Sequence, residues 1–157
     1  MTLAMTLAGC GNITLPSLPT SNPAAAAVDD TDLEALISEL PPQRLRAGQC
    51  GMFLWSRDEQ RRLTLFAIST DQDAKMMINN REQFVPRVAG DGRIVQGFAE
   101  QQTYAWRNLT FKVAVEFEQR AGLGRGAVIP SGTLRVSRRD GWEAVLPVGG
   151  LVACEGQ

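Results

Sequence analysis

The residues of this chain that could do chemistry are cysteines and carboxylates. Histidine is missing from all 157 residues, which excludes Ser-His-Asp and Cys-His nucleophile pairs and imidazole metal sites. Paired carboxylates would then be the material for a hydrolase, and the nearest candidates are Glu100, Glu116 and Glu118. Glu116 and Glu118 alternate with apolar residues and are expected to point to water. We therefore expect a protein that is not an enzyme and holds no cofactor or metal.

The three cysteines differ in position. Cys10 lies near the N-terminus, whereas Cys50 and Cys154 open and close the region that is expected to fold. In an oxidising compartment two such cysteines usually form a disulfide, and in the cytosol two unrelated buried thiols would be the better interpretation. The compartment therefore decides whether Cys50 and Cys154 pair.

The N-terminal residues bear on the compartment. Residues 1–10 are apolar and small, and Leu7-Ala8-Gly9-Cys10 resembles the lipobox of bacterial lipoprotein signal peptides. The resemblance implies that a signal peptide, residues 1–9, is cleaved and that Cys10 carries acyl chains, which would hold the protein on a membrane. Because no Lys or Arg precedes the apolar stretch, we expect the complete signal to begin upstream of Met1. The alternative is a disordered tail with an incidental cysteine.

The resemblance also implies a location in the bacterial cell envelope and a Cys50–Cys154 disulfide. Gly11 stands where lipoproteins kept at the inner membrane commonly carry an aspartate, which favours the outer membrane, facing the periplasm. Proline, serine and threonine in residues 11–28 predict a flexible tether, so that lipidated Cys10 and the tether span residues 10–28. With 16 Lys and Arg against 17 Asp and Glu, no basic surplus attracts nucleic acid. The expected partners are the membrane and another envelope protein.

A short amphipathic helix is predicted over residues 29–42. Thr31 and Glu34 have the spacing of a capping box at its start. Apolar residues then recur at helical spacing, namely Leu33, Leu36, Ile37 and Leu40. Pro41 and Pro42 would end the helix. A helix this short is not stable alone, so we expect it to dock on the folded domain, with a partner-binding helix as the alternative.

Residues 43–157 predict a β domain. Residues 109–117 alternate apolar and polar side chains, as a strand with one wet face does. Other strands are predicted at 50–56, 61–69, 74–79, 83–88, 93–101, 133–138, 142–148 and 151–154, with turns at 79–80, 89–92 and 140–141 and a bend at 149–150. About eight short strands without intervening helices predict a mostly β protein, an antiparallel small barrel or sandwich.

Three other patterns have simpler interpretations than a site. Residues 122–127 fit a dinucleotide-binding glycine pattern, but a strand rather than a helix follows them. Three methionines could suit copper(I) but fit the core better: Met52, Met76 and Met77. Four arginines could surround an acidic ligand, but they lie at strand ends among acidic residues and are interpreted as solvated hairpin tips: Arg57, Arg61, Arg62 and Arg81.

The segment from Glu100 to Arg107 is the candidate binding surface. It lies where one alternating pattern ends and the next begins, so its side chains need not all serve the core. Aromatic residues and arginine are also enriched at interaction hot spots. The candidate binding residues are Glu100, Gln102, Tyr104, Trp106 and Arg107. The alternative is that Trp106 plugs one end of a barrel.

The arrangement also resembles the membrane-bound inhibitors of C-type lysozyme. Those proteins carry a small β domain behind a lipobox, with one cysteine opening the first strand and another just before the C-terminus, as Cys50 and Cys154 do here. Their inhibitory loop contains Ser-Gly and Ala-Arg-Tyr, whereas residues 96–104 lack the arginine. We expect a non-catalytic envelope lipoprotein whose β domain binds another protein. The alternatives are a lysozyme-inhibitor-like lipoprotein and a carboxylate-dependent envelope hydrolase.

Overall fold

The structure is a computed structural model that describes residues 30–156. The predicted signal peptide, Cys10 and the tether lie outside the described residues. Within residues 30–156 the chain forms one helix and nine strands. They are α1 (Asp30–Leu36), β1 (Ile37–Ser38), β2 (Cys50–Ser56), β3 (Leu63–Ile68), β4 (Asp73–Ile78), β5 (Arg81–Val95), β6 (Phe98–Trp106), β7 (Leu109–Val115), β8 (Ala127–Arg138) and β9 (Glu143–Cys154).

Eight of these strands close an antiparallel barrel within the described part of the chain. Their order is β4-β3-β2-β9-β8-β7-β6-β5, and β5 pairs back to β4. Neighbours in this ring are consecutive in sequence except β2 and β9, so the barrel is an up-and-down meander that its first and last strands close. The prediction of a mostly β protein with an antiparallel small barrel of about eight strands is confirmed.

Alternating side chains fill the barrel interior. On β7 every second side chain is buried, namely Leu109, Phe111, Val113 and Val115, while Lys112 and Ala114 between them are exposed. Strands β2, β3, β4 and β6 also send large side chains inward, among them Phe98, Tyr104, Met52, Leu54, Leu65 and Met76. The interior is therefore a packed core rather than a ligand cavity.

A second, smaller apolar cluster lies on the outside of the barrel wall. The segment between β1 and β2 crosses β3, and Leu40 packs there on Leu63 and Phe66. The Leu40 amide donates to the Leu63 carbonyl at 2.8 Å. Phe53 stacks on Trp55 in the same cluster, with ring centroids 5.8 Å apart. This segment covers β3, which is why β3 carries apolar side chains on both faces.

The helix is shorter than predicted. It begins at Asp30 and ends at Leu36, and the next two residues pair with β4, Ile37 opposite Ile78 and Ser38 opposite Met77. β3 pairs only with the first part of β4, so the rest of that edge is open. β1 fills this edge, because the backbone hydrogen bonds that it makes to β4 outweigh one more turn of a marginal helix. Leu40 then belongs to the outer cluster and not to the helix.

One predicted turn does not form, and another is confirmed. Residues 89–92 do not reverse the chain, because β5 continues to Val95 and takes up Gly92, at φ +85°, in a register shift against β6. The reversal occurs at Gln96 and Gly97, at φ 51° and 89°. The predicted turn at 79–80 is confirmed, since Asn79 and Asn80 have φ 51° and 58°.

At the predicted bend, residues 149–150, β9 continues as one strand through both glycines. Gly150 is needed for a different reason. A β-carbon at this position would overlap the carbonyl oxygen of Phe53 on β2. The glycine therefore permits the close approach of the two strands that close the barrel.

The hairpin turns define two ends of the barrel. Cys50 and Cys154 lie at one of them, called the disulfide end, together with the turn at Gln96 and Gly97. α1 packs at the other, called the helix end, where Leu33 and Ile37 join the barrel core. The turns after β2, β4, β6 and β8 lie at the helix end.

Candidate functional site

The predicted binding segment occupies most of β6, and the structure divides its residues. Gln102 and Tyr104 point into the barrel and are only 2% and 1% exposed. The Tyr104 hydroxyl donates to Gln102 Oε1 at 2.7 Å, and Gln102 Nε2 donates to the Ala99 carbonyl at 3.0 Å. Arg87, reaching in from β5, donates to the same Gln102 oxygen at 3.5 Å. Their polar atoms are satisfied inside the protein, so they are not contact residues, which corrects this part of the prediction.

Burial also strengthens the preference of Tyr104 for its neutral form. It raises the pKa of the phenol well above its ordinary value, although the nearby Arg87 opposes the shift. The hydroxyl is therefore neutral across the physiological pH range and acts as a hydrogen-bond donor in the core.

Glu100 lies on the outer wall and is engaged by Arg93. Arg93 Nε lies 3.0 Å from Glu100 Oε1, and the Arg93 amide donates to Glu100 Oε2 at 3.3 Å. This pair spans the register shift between β5 and β6 where Gly92 lies. Glu100 thus holds the irregular part of β5 in place, and we assign it a structural role.

Trp106 and Arg107 lie at the helix end. The Trp106 ring is partly buried and packs against the barrel core, and the Arg107 guanidinium carbon lies 4.4 Å from the ring centroid. Arg107 has φ 55°, in the turn that joins β6 to β7. Trp106 both helps to close the barrel and holds an exposed arginine against its outer face.

The structure brings a second pair of the same kind beside the first. Trp142 is also partly buried against the core, and the Arg138 guanidinium carbon lies 4.7 Å from its ring centroid. The Arg139 amide donates to the Asn108 carbonyl at 3.3 Å, which ties the two hairpin turns together. Trp106, Arg107, Arg138 and Trp142 thus lie at two neighbouring hairpin turns, and we call the four together the Trp–Arg patch.

Sequence reasoning missed the second half of this patch. Arg138 and Trp142 flank the predicted hairpin turn at 140–141, and Trp106 and Arg107 lie between two predicted strands. The repeated association of tryptophan and arginine with a turn was the available signal. What the sequence could not show is that these two turns are neighbours, which follows from the strand order.

The candidate catalytic carboxylates each have a partner. Glu100 and Glu116 line the same open groove on the outer wall, and Glu116 accepts a hydrogen bond from Ser131 at 3.4 Å. Glu118 forms a bidentate ion pair with Arg120, which donates two hydrogen bonds to it at 2.8 and 3.2 Å. Hydrogen bonds from Arg120, and its charge, hold the pKa of Glu118 below the ordinary value. A lowered pKa is the opposite of what a general acid requires.

The disulfide prediction is confirmed by geometry. Cys50 and Cys154 face each other in the pairing of β2 with β9, and their sulfur atoms are 2.02 Å apart. The bond joins residues 104 positions apart, the first residue of the first barrel strand and the last residue of the last. It lies where the barrel closes.

The three candidate methionines do not lie together. Met52 and Met76 are in the barrel core, whereas Met77 packs in the outer cluster, so no shared copper site forms from them.

Among residues 30–156, no three His, Cys, Asp or Glu side chains are grouped to hold a metal ion. No helix in that range is long and apolar enough to cross a membrane. Comparison with protein-family models, curated proteins and solved structures found no match.

Proposed function

We propose that this chain is a lipid-anchored, non-catalytic protein of the bacterial envelope, attached to the outer membrane through Cys10, whose barrel binds another envelope protein. The Trp–Arg patch is the observation that carries the binding role. Tryptophan and arginine are the residue types most enriched at the centres of protein interfaces. Here two such pairs lie side by side at one end of the barrel.

The patch is also pre-organised. The inner faces of both tryptophans pack on the core, and each guanidinium is already stacked on a ring. Binding would therefore cost little side-chain entropy, which leaves more of the contact energy for affinity. Because core side chains fill the barrel interior, we place recognition on the outer surface rather than inside.

To test the binding role, envelope proteins that crosslink to this protein are first identified. Each of them is then purified and tested separately for direct binding. Arg107→Ala and Arg138→Ala should each weaken a direct, purified interaction by about tenfold, since both remove a charged hot-spot side chain. Arg81→Ala, at another turn of the same end, is the matched control and should leave the affinity unchanged. Lysozyme is assayed separately, for inhibition and for binding. If the wild type and the three variants bind the partner with equal affinity, the patch is not the contact surface.

The anchor is tested on its own. The gene, expressed with its upstream sequence in a bacterium, should yield a membrane-bound product whose mass shows cleavage before Cys10 and added acyl chains. Cys10→Ser should release the protein from the membrane while the barrel still forms. A soluble wild-type product that retains residues before Cys10 would contradict lipidation.

A further inference from the structure

A groove in the outer wall, separate from the Trp–Arg patch, has the features of a ligand site. It lies where β2, β9 and β8 run side by side and has a volume of about 870 Å³. That size is within the range of small-molecule sites. Its lining includes Trp55, Arg57, Arg61, Arg120, Pro130 and Gly149. We call it the arginine groove.

The groove exists because backbone replaces side chains on its floor. Gly149 pairs with Trp55 across β9 and β2, so this position adds no side chain of its own next to the indole ring. On the other side, β8 shifts register against β9 between Ile129 and Gly132, and Pro130 lies in the shifted part. A shelf of partly exposed backbone is left between an aromatic ring and a proline, which suits the flat face of a ring-shaped ligand.

Two arginines reach this shelf without a carboxylate partner. Arg57 lies across Gly149, where a β-carbon would be 3.6 Å from Arg57 Nε, and it donates one bond to the Pro130 carbonyl. A guanidinium has five N–H donors, so most of them remain for a ligand. Neither Arg57 nor Arg61 forms an ion pair with a carboxylate in the described part of the chain.

The loop that carries these arginines is held rigidly. Asp58 Oδ1 accepts hydrogen bonds from the Ser56 hydroxyl at 2.8 Å and from the Arg61 amide at 2.9 Å. Arg61 is held at φ 49°, a left-handed conformation that is costly for a residue with a β-carbon. Strain of this kind is maintained where a side chain must point in a set direction.

Arg120 adds a third positive charge, which Glu118 neutralises. The two are joined by the pair of bonds described above, beside the backbone bridge between Glu118 and Val128. The groove thus carries three guanidinium groups against one carboxylate, in a protein whose formal net charge is −1. The excess of positive charge is local to this site.

We propose that the arginine groove binds a small organic oxyanion, a phosphate or carboxylate carried on a ring. Arg57 and Arg61 hold the oxyanion, since guanidinium groups match both oxyanions with paired hydrogen bonds. The ring of the ligand packs on Trp55, beside the Arg57 side chain that crosses Gly149. This binding needs neither the lipid anchor nor a protein partner at the Trp–Arg patch. The groove proposal and the proposed function can therefore be refuted independently of each other.

The first test is titration of the protein with glucose 6-phosphate, glucuronate and inorganic phosphate, followed by nuclear magnetic resonance of the three indole N–H groups. Phosphate and carboxylate sources are thereby distinguished, and uncharged glucose is the control. We expect a saturable shift at Trp55, assigned with Trp55→Phe, and none with glucose. Absence of saturation with every anion, or shifts confined to Trp106 and Trp142, would overturn the proposal.

Variants separate binding from folding. Arg61→Gly removes the guanidinium and also relieves the left-handed strain, so thermal stability should hold or rise while affinity falls about tenfold. Arg57→Gln should lose affinity by a similar factor. Glu118→Gln frees Arg120 and should raise the affinity severalfold.

Arg81→Gln is the matched control for total charge, because Arg81 is an exposed arginine on a different hairpin. Its affinity should equal that of the wild type at the same ionic strength. If Arg81→Gln weakens binding as much as Arg61→Gly does, the attraction comes from overall charge, and the groove is not a site. Unchanged affinity in Arg61→Gly would also refute it.

Discussion

The two ends of the barrel are closed by different means. At the disulfide end a covalent bond between Cys50 and Cys154 joins the first and last barrel strands. At the helix end α1, Trp106 and Trp142 pack against the open core, and no covalent bond contributes within residues 30–156. Redox conditions therefore act on one end, whereas side-chain volume and helix docking act on the other.

The position of the covalent bond has a physical reason. Every pair of neighbouring strands in the described barrel is joined by a short connection except β2 and β9, which the whole barrel sequence separates. Closing so long a loop costs more chain entropy than closing a hairpin. The disulfide reduces that cost at the one seam where it is large, between β2 and β9. The other seams of the barrel join strands that a short connection already holds together.

Removing the disulfide should have the largest effect. The double variant Cys50→Ala, Cys154→Ala should lose about 4 to 5 kcal/mol of unfolding free energy, because the unfolded chain regains the entropy of a loop of about a hundred residues. Urea unfolding of oxidised wild type, reduced wild type and the variant measures it. The reduced wild type should match the variant, and a loss below about 1 kcal/mol in both would contradict this explanation of the seam.

Opening the helix end should cost less. Trp106→Ala should lower the unfolding free energy by about 2 to 3 kcal/mol, since the ring is only partly buried and its removal leaves a cavity open to solvent. The loss should be the same with the disulfide oxidised or reduced, because the two ends are far apart in the barrel. Arg107→Ala, which removes the stacked cation alone, is the control and should cost about 0.5 to 1 kcal/mol.

A smaller, pH-dependent effect is expected from the polar contacts of the helix end. Arg62 Nη2 contacts Asp58 at 2.9 Å and Glu34 of α1 at 3.4 Å, which links the β2–β3 turn to the helix. Burial works against ionisation of Asp58, but hydrogen bonds from Arg62, Ser56 and the Arg61 amide outweigh it and lower the pKa below 3.8. Folding therefore favours the carboxylate.

The stabilisation from Asp58 is complete above its unfolded pKa of 3.8 and is lost as the pH falls through the lower folded pKa. Asp58→Asn should cost about 1 kcal/mol at neutral pH and reduce the loss of stability in acid. Thermal unfolding from pH 7 down to pH 2 measures both. Parallel pH profiles for the wild type and the variant would show that another group is responsible.

Local pattern predicted much of this fold. The strand at β7 was found because Leu109, Phe111 and Val113 alternate with polar residues, and the first barrel strand was placed at its observed bounds, Cys50–Ser56. The sequence misplaced the β5–β6 turn because glycine at position 92 signals a turn and a bulge equally well. Which of the two forms depends on the register of β6, a contact between distant residues.

In the two proposed binding surfaces, too, the sequence shows the residue types, whereas contacts between distant strands decide which residues meet. Trp106 and Arg107 were recognisable as adjacent residues of suitable types, but Trp142 reaches them through strand order alone. The arginines at 57 and 61 were interpreted as solvated hairpin tips. Their groove depends on Gly149, about ninety residues away, and on a register shift in β8.

The sequence by itself determined the fold class and the exclusion of histidine chemistry, because composition and period-two alternation can be read without knowing which distant residues meet. The tertiary structure decided where the helix ends, which side chains of β6 enter the core and which charged groups share a surface. Those outcomes depend on the pairing of strands far apart in the chain. Each requires free energy gained from contacts that no local segment can make.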